Sequence, residues 1–212
     1  MSVCVFNVET TGLPSFFGVA RNEYPSYTAT QKYTRYRLVK ISWIVLDGAC
    51  IITDRQSFIV KPVGFVIPLS SVFFHGIMMD TALNGIDLNV VMAKMYDAIT
   101  TCTILVSHNL AFCKNVLMSE LSRMDLGSIS TLASNFETRQ MMDKLLSMND
   151  YCTMKHGAFQ LGFSKSPKLC ELFTALFYEP FPNIDKTQHC VEIYTQLRNN
   201  ESDLIVCSVS NC

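Results

Sequence analysis

Three short stretches of this chain hold most of the side chains that could do chemistry. The first is Phe6-Asn7-Val8-Glu9-Thr10-Thr11-Gly12-Leu13, with one carboxylate, two hydroxyls and a glycine. The second runs from Leu105 to Cys113 and contains His108, Asn109 and Cys113. The third is Asp185-Lys186-Thr187-Gln188-His189-Cys190. Glu9 and Asp185 are hard oxygen donors of the kind that magnesium and manganese take. As a lone carboxylate pair they would have to serve acid–base work unaided. Cys113, Cys190, His189 and His108 offer the thiolate and imidazole donors that suit zinc, if they converge. The competing reading is that small, apolar-tolerant cysteines fill core space. A Cys–His nucleophile pair lacks an oxyanion site and an orienting third group. His75, in His75-Gly76-Ile77, reads as a hydrogen-bonded turn residue rather than a ligand.

The elements that must position these residues follow from periodicity. Residues 3–8 are short, apolar and β-branched, then give way to Thr10-Thr11-Gly12-Leu13-Pro14, so they predict a buried strand ending in a turn. Residues 15–34 show no period and form an inserted loop. Residues 37–46 and 50–60 predict two strands joined by an Asp47-Gly48 hairpin turn. The connection after them, bracketed by Pro62 and Ile67-Pro68, predicts a loop. Leu88, Val91, Met92, Met95 and Ile99 mark an amphipathic helix, and residues 103–107 a buried strand. Helices are predicted over 111–124, 134–148, 169–177 (entered after Pro167) and 187–197. The apolar stretch 204–207 predicts an added strand or an anchoring arm. The pattern is an antiparallel meander followed by alternating helices and a strand. It predicts an α/β mixed sheet flanked by helices, as one domain over 1–198 with a tail over 199–212.

Composition sets the bounds. The chain has 212 residues, enough for one domain with a sizeable core. Apolar residues are 49% and charged residues only 17%, which fits either a large core or a surface buried against other protein subunits. The net charge of −1 gives no global attraction to nucleic acid. The best local basic cluster is Lys32, Arg35, Arg37 and Lys40, interleaved with Tyr33 and Tyr36, and it reads as a solvated strand edge. No run is long and apolar enough to predict a membrane span, and the first residues lack a basic signal-peptide start. Nine cysteines without a C-x-x-C pair predict reduced thiols in a cytoplasmic protein.

Taken together, the three stretches resemble the motifs of the DEDD 3′–5′ exonucleases. Phe6 to Leu13 resembles the first motif, F-D-x-E-T-T-G-L, with Asn7 in place of its aspartate. Leu105 to Cys113 resembles the second, h-V-x-H-N-x-x-F-D, with Cys113 in place of aspartate. Lys168-Leu169 through Leu172, then Phe177 and Glu179-Pro180-Phe181, resembles the lead-in to the third. Where the DEDDh pattern then expects H-x-A-x-x-D, this chain has Asp185 and Cys190. Ile67-Pro68, His75-Gly76-Ile77 and Cys152-Thr153-Met154 look like supporting segments of the family. The resemblance runs from about residue 3 to residue 197 and implies a ribonuclease H-like fold similar to the proofreading subunit of bacterial DNA polymerase III.

The family cleaves a 3′-terminal phosphodiester with two metal ions held by four acids, with a histidine as general base. By that resemblance only Glu9 survives of the four acids. Asn7 is a neutral ligand, Cys113 and Cys190 are soft, and Asp185 stands at the histidine's position unless His189 reaches in. Two dications need roughly three or more nearby negative charges. A degenerate pseudo-exonuclease is therefore expected, with no cofactor, and with magnesium or manganese on Glu9 only if activity survives. The expected role is that of a structural or interaction protein. The H-G-I and C-T-M segments look most like versions from large DNA viruses, which points to a minor virion or capsid component. The alternatives are a module binding single-stranded 3′ ends through Thr10, Thr11, Gly12 and Leu13, which in the family approach the terminal nucleotide, and a metal-dependent exonuclease.

Overall fold

The structure, a computed structural model, describes residues 1–20, 23–127, 132–182 and 185–209. Five strands form one mixed sheet in the order β3-β2-β1-β4-β5. They are β1 (Ser2–Thr10), β2 (Leu38–Leu46), β3 (Ile52–Ile59), β4 (Cys102–Ser107) and β5 (Asn149–Cys152). β1, β2 and β3 pair antiparallel, as the hairpin signals predict. β4 lies parallel to β1 and β5 parallel to β4, each reached through a helical crossover. The mixed sheet flanked by helices is the architecture expected from the pattern.

β1 divides the core through its period of two. Cys4, Phe6 and Val8 pack against α3 (Leu88–Ile99), α4 (Leu110–Gly127) and α5 (Leu132–Ser147). Val3 and Val5 pack on the other face, against α7 (Leu169–Phe177) and α8 (Lys186–Val209). Asn7 and Glu9 continue the odd-numbered series. The alternation thus puts them on the α8 side, at the end of β1 where the chain leaves the sheet. Asn7 sits opposite Ser42 and Glu9 opposite Lys40.

Several local expectations change. The connection after β3 is not a bare loop but contains α1 (Leu69–His75) and α2 (Met79–Leu83). Their few residues are too short for a readable period, and α1 stops at Gly76, whose φ of 71° few other residues tolerate. Cys152-Thr153-Met154 joins β5 to α6 (Thr153–Gln160), two elements that periodicity did not reveal. The inserted loop over 15–34 ends in a single 3-10 turn, Thr30–Tyr33. Pro167 lies one residue ahead of the N-cap of α7, Lys168, rather than in its first turn. The apolar stretch 204–207 is not an added strand, because α8 runs on without a break to Val209. Among the described residues, no helix is long and apolar enough to cross a membrane, and Cys4, Cys50, Cys102, Cys113, Cys152, Cys170 and Cys190 are free thiols.

Candidate functional site

The end of β1 and the start of α8 bring the first and third stretches together. Glu9, largely shielded, accepts a hydrogen bond from Lys186 Nζ at 2.7 Å. Asp185 caps α8: its Oδ1 accepts from the Thr187 amide at 2.7 Å, and its Oδ2 accepts from Lys40 Nζ at 3.3 Å. Burial works against the Asp185 charge. The bonds from Thr187 and the Lys40 ammonium outweigh it and hold the carboxyl below its ordinary range. Ser42 and Thr187 share a hydroxyl–hydroxyl bond between Asn7's neighbour strand and the helix. The two carboxylates and two ammoniums of this junction sum to zero charge.

The second stretch arrives from β4 through a tight turn. Asn109 takes a left-handed conformation, φ 62°, and its side-chain amide donates to the Tyr24 hydroxyl at 2.7 Å. Cys113 then lies in the first turn of α4 and is buried. Burial pushes its thiol up to about 11, despite hydrogen bonding with Ser107 and the Val8 backbone. Cys190 is fully buried, and burial pushes it up to about 12. Cys190 senses Cys113, and both thiols sense Cys152, so the positions do converge. They converge as neutral S–H groups, which are poor ligands for any cation at neutral pH.

The histidines do not join them. His189 is wholly buried, with Nε2 3.0 Å from the Pro182 carbonyl and Nδ1 3.2 Å from Glu192. Its ring packs between Phe181 and Phe173. It does not reach toward Glu9 as a replacement base. His108 is held by the Thr153 hydroxyl and the Pro167 carbonyl, and burial lowers it to about 4. The zinc set of Cys113, Cys190, His189 and His108 is therefore not assembled. Among the described residues, no three His, Cys, Asp or Glu side chains are grouped to hold a metal ion. The donors present do not fit the two-cation chemistry that the motif resemblance implies. One free-standing carboxylate is tied to an ammonium, one caps a helix, and two donors are protonated thiols.

The Thr10–Leu13 turn is built around its own backbone. Thr10 Oγ1 donates to the Gly12 carbonyl at 2.6 Å. Thr11 Oγ1 donates to the Arg35 carbonyl and accepts from the Arg37 amide, both at 2.8 Å. Gly12 has φ 151°, and an added Cβ would stand 3.0 Å from the Tyr36 ring, so the glycine lets that ring close on the turn. Leu13 alone of the four projects into solvent. The basic cluster is not a free patch. Arg37 chelates Glu120, Lys40 holds Asp185, and Lys32 donates to the Phe17 carbonyl. Tyr33 is buried beneath them, its hydroxyl bonded to the Pro25 carbonyl.

Sequence reasoning missed Lys186 as a partner of the site and gave His75 only a turn role. Lys186 is four residues before Cys190 on α8, hence on the same helix face, and that spacing could have exposed it. Burial lowers the pKa of His75, and the charges of Glu9 and Lys186 act on it from within electrostatic reach.

No protein-family model matches the sequence, and no curated protein matches it either. Solved structures do. E. coli exonuclease I in complex with a dT13 oligonucleotide superposes with a TM-score of 0.66 at 13% identity, over 96% of this chain and 42% of that one. The same fold match appears with its dA16 complex, at a TM-score of 0.62, 13% identity and 93% and 41% coverage. This chain has an exonuclease fold. A complex described as ExoI/SSB-Ct gives a TM-score of 0.64 at 13% identity, over 96% of this chain and 42% of the other. The chain spans about two fifths of the length of the exonuclease I chains it matches. At these identities the likeness establishes the fold, and the chemistry must be argued from the side chains above.

Proposed function

We propose that this exonuclease-fold chain is a pseudo-exonuclease that acts by binding and not by hydrolysis. The observation that carries the reading is the ammonium of Lys186 seated on Glu9, the one motif acid still in place. Its partners in this reading are other protein subunits. The apolar residues Val66, Leu69, Phe73, Phe74 and Met78 are all exposed around α1, and such a contiguous segment suits burial in an assembly. A minor virion component is the specific form suggested by the viral look of the H-G-I and C-T-M segments.

A second reading is that the cleft holds a single-stranded 3′ end without cutting it. It is favoured by the neutralised charge of the cleft, which no longer repels phosphate, and by the oligonucleotides seen on exonuclease I. The test is a cleavage assay on a 5′-labelled single strand with magnesium and with manganese. No shortening is expected from the protein above that of a Glu9→Gln control. Shortening that Glu9→Gln abolishes would overturn the pseudo-exonuclease reading in favour of a metal-dependent 3′–5′ exonuclease.

A further inference from the structure

We propose that Lys186 and Lys40 take over the electrostatic work that cations would do in this cleft, and that with His75 they form a divalent-cation-independent site for the terminal phosphate of a single strand. This deepens the second reading above and rests on it.

The first support is the donor count. An ammonium has three N–H donors, and Glu9 takes one from Lys186. The Lys186 side chain is 45% exposed, so its head is open to a ligand from the cleft. Lys40, 29% exposed, is held by Asp185 at a longer 3.3 Å and is easily shared. The carboxylates fix where the ammoniums stand, and the ammoniums present positive charge where phosphate would dock.

The second support is independent. His75 Nδ1 accepts the Ile77 amide at 3.0 Å, so the proton of the neutral ring lies on Nε2. That Nε2 is shielded from solvent and has no hydrogen-bond partner. A shielded N–H without an acceptor is costly, and it calls for an oxygen that the protein does not supply. Glu9 and Lys186 lie within electrostatic reach of the ring. A phosphate oxygen is the missing acceptor.

The third support is the flank. Phe73 and Phe74, immediately before His75 on α1, are 91% and 82% exposed. Exposed aromatic faces near exposed ammonium groups are the platform on which unstacked bases rest, without sequence preference. Cys113 and Cys190 complete the arrangement, as protonated thiols add no negative charge to repel the strand.

The experiment is fluorescence anisotropy of the full chain with a 5′-labelled oligo-dT at low salt, in EDTA and in magnesium. Binding is expected in EDTA, within about twofold of that in magnesium. Lys186→Met is expected to weaken it about tenfold, as loss of a charge-assisted bond. Lys186→Met also strands Glu9, so the double variant Lys186→Met/Glu9→Gln is needed, and it should stay weak. Lys94→Ala, on α3 and outside the cleft, controls for general charge. A 3′-phosphorylated strand should bind several-fold tighter than a 3′-hydroxyl strand, and inorganic phosphate should compete. Binding that EDTA abolishes, or a double variant that binds like the parent, would overturn the lysine site while leaving the 3′-end reading intact. Equal affinity for a circular strand would overturn the terminal preference. No strand bound under either condition would sink both.

Discussion

Adding manganese to the folded protein should leave its thermal stability where it was. A two-cation exonuclease centre with a Kd of roughly 0.1 mM, given ~10 mM manganese, would be stabilised by about 2.7 kcal/mol, the value for a ligand at a hundred times its Kd. In a domain of this size that corresponds to a rise in Tm of roughly 5–11 °C. Here a dication approaching Glu9 meets the Lys186 ammonium, 2.7 Å from the same carboxylate. At a separation of about 4 Å and an effective dielectric of about 20, the repulsion is on the order of 8 kcal/mol before screening. The partial exposure of Lys186 reduces that several-fold, yet no second carboxylate offsets what remains, since Asp185 is committed to Lys40 and to the α8 amides. Differential scanning fluorimetry with manganese, magnesium and EDTA should therefore show shifts below about 1 °C, the same in the parent and in Glu9→Gln. A manganese-induced rise of about 5 °C or more that Glu9→Gln removes would refute the charge argument.

Three further outcomes follow from the structure. Glu120 is 2% exposed and accepts from Arg37 twice, from the Leu38 amide at 3.0 Å and from Arg123 at 3.2 Å. Glu120→Gln should cost about 2–4 kcal/mol in urea unfolding, because it strands two guanidiniums, and a loss under about 0.5 kcal/mol would contradict the assignment. Cys113 and Cys190 have folded pKa values raised to about 11 and about 12, so folding favours their protonated forms. Their contribution is complete at pH 7 and is lost as pH rises past the unfolded thiol value of about 8.5, at up to about 1.4 kcal/mol per pH unit for each thiol. Unfolding curves of Cys113→Ser/Cys190→Ser should fall less steeply than the parent between pH 9 and 11. Iodoacetamide at pH 8 should label exposed Cys50 in the folded chain and spare both buried thiols, as read by peptide mass.

The fold was legible where the period was strong. The alternation in β1 and the threes and fours of α3 were enough to fix the sheet's centre and one of its flanking layers. It was illegible where elements are short. α1 and α2 lack the length for a helical period, and β5 has only four residues beside buried β4. The tail misled because a four-residue apolar run does not distinguish a strand from a helix continuing from α8. Within the site, the residue types at Asn7, Glu9, Cys113, Asp185 and Cys190 were readable, and so was the absence of a carboxylate at Asn7, Cys113 and Cys190. Their pairings were not. Lys40 and Asp185 are far apart in sequence, and only the antiparallel register of β1 on β2 sets Lys40 opposite Glu9, beside the incoming α8. The pairing of Arg37 was hidden for the same reason, since its partner Glu120 comes from α4 on the other side of the sheet.

The site is held in its neutral state by two different devices, and this bears on how reversible the loss of charge is. At Cys113 and Cys190 the charge is removed by burial. An aspartate placed at either position would enter a shielded space beside other thiols, and without a cation its carboxylate would carry a desolvation cost of several kcal/mol. At Glu9 and Asp185 the charge is kept and paired, by lysines that also tie β1 and β2 to the first turn of α8. Returning one acid alone is therefore unfavourable whichever position is chosen. Asn7→Asp adds a carboxylate on the face of Glu9, where the two ammoniums are already matched by Glu9 and Asp185, and Cys113→Asp adds one in a buried space. A cation centre would have to regain several acids and shed Lys186 in concert. A cleft with that arrangement is stable as a neutral junction, its two carboxylates each matched by an ammonium.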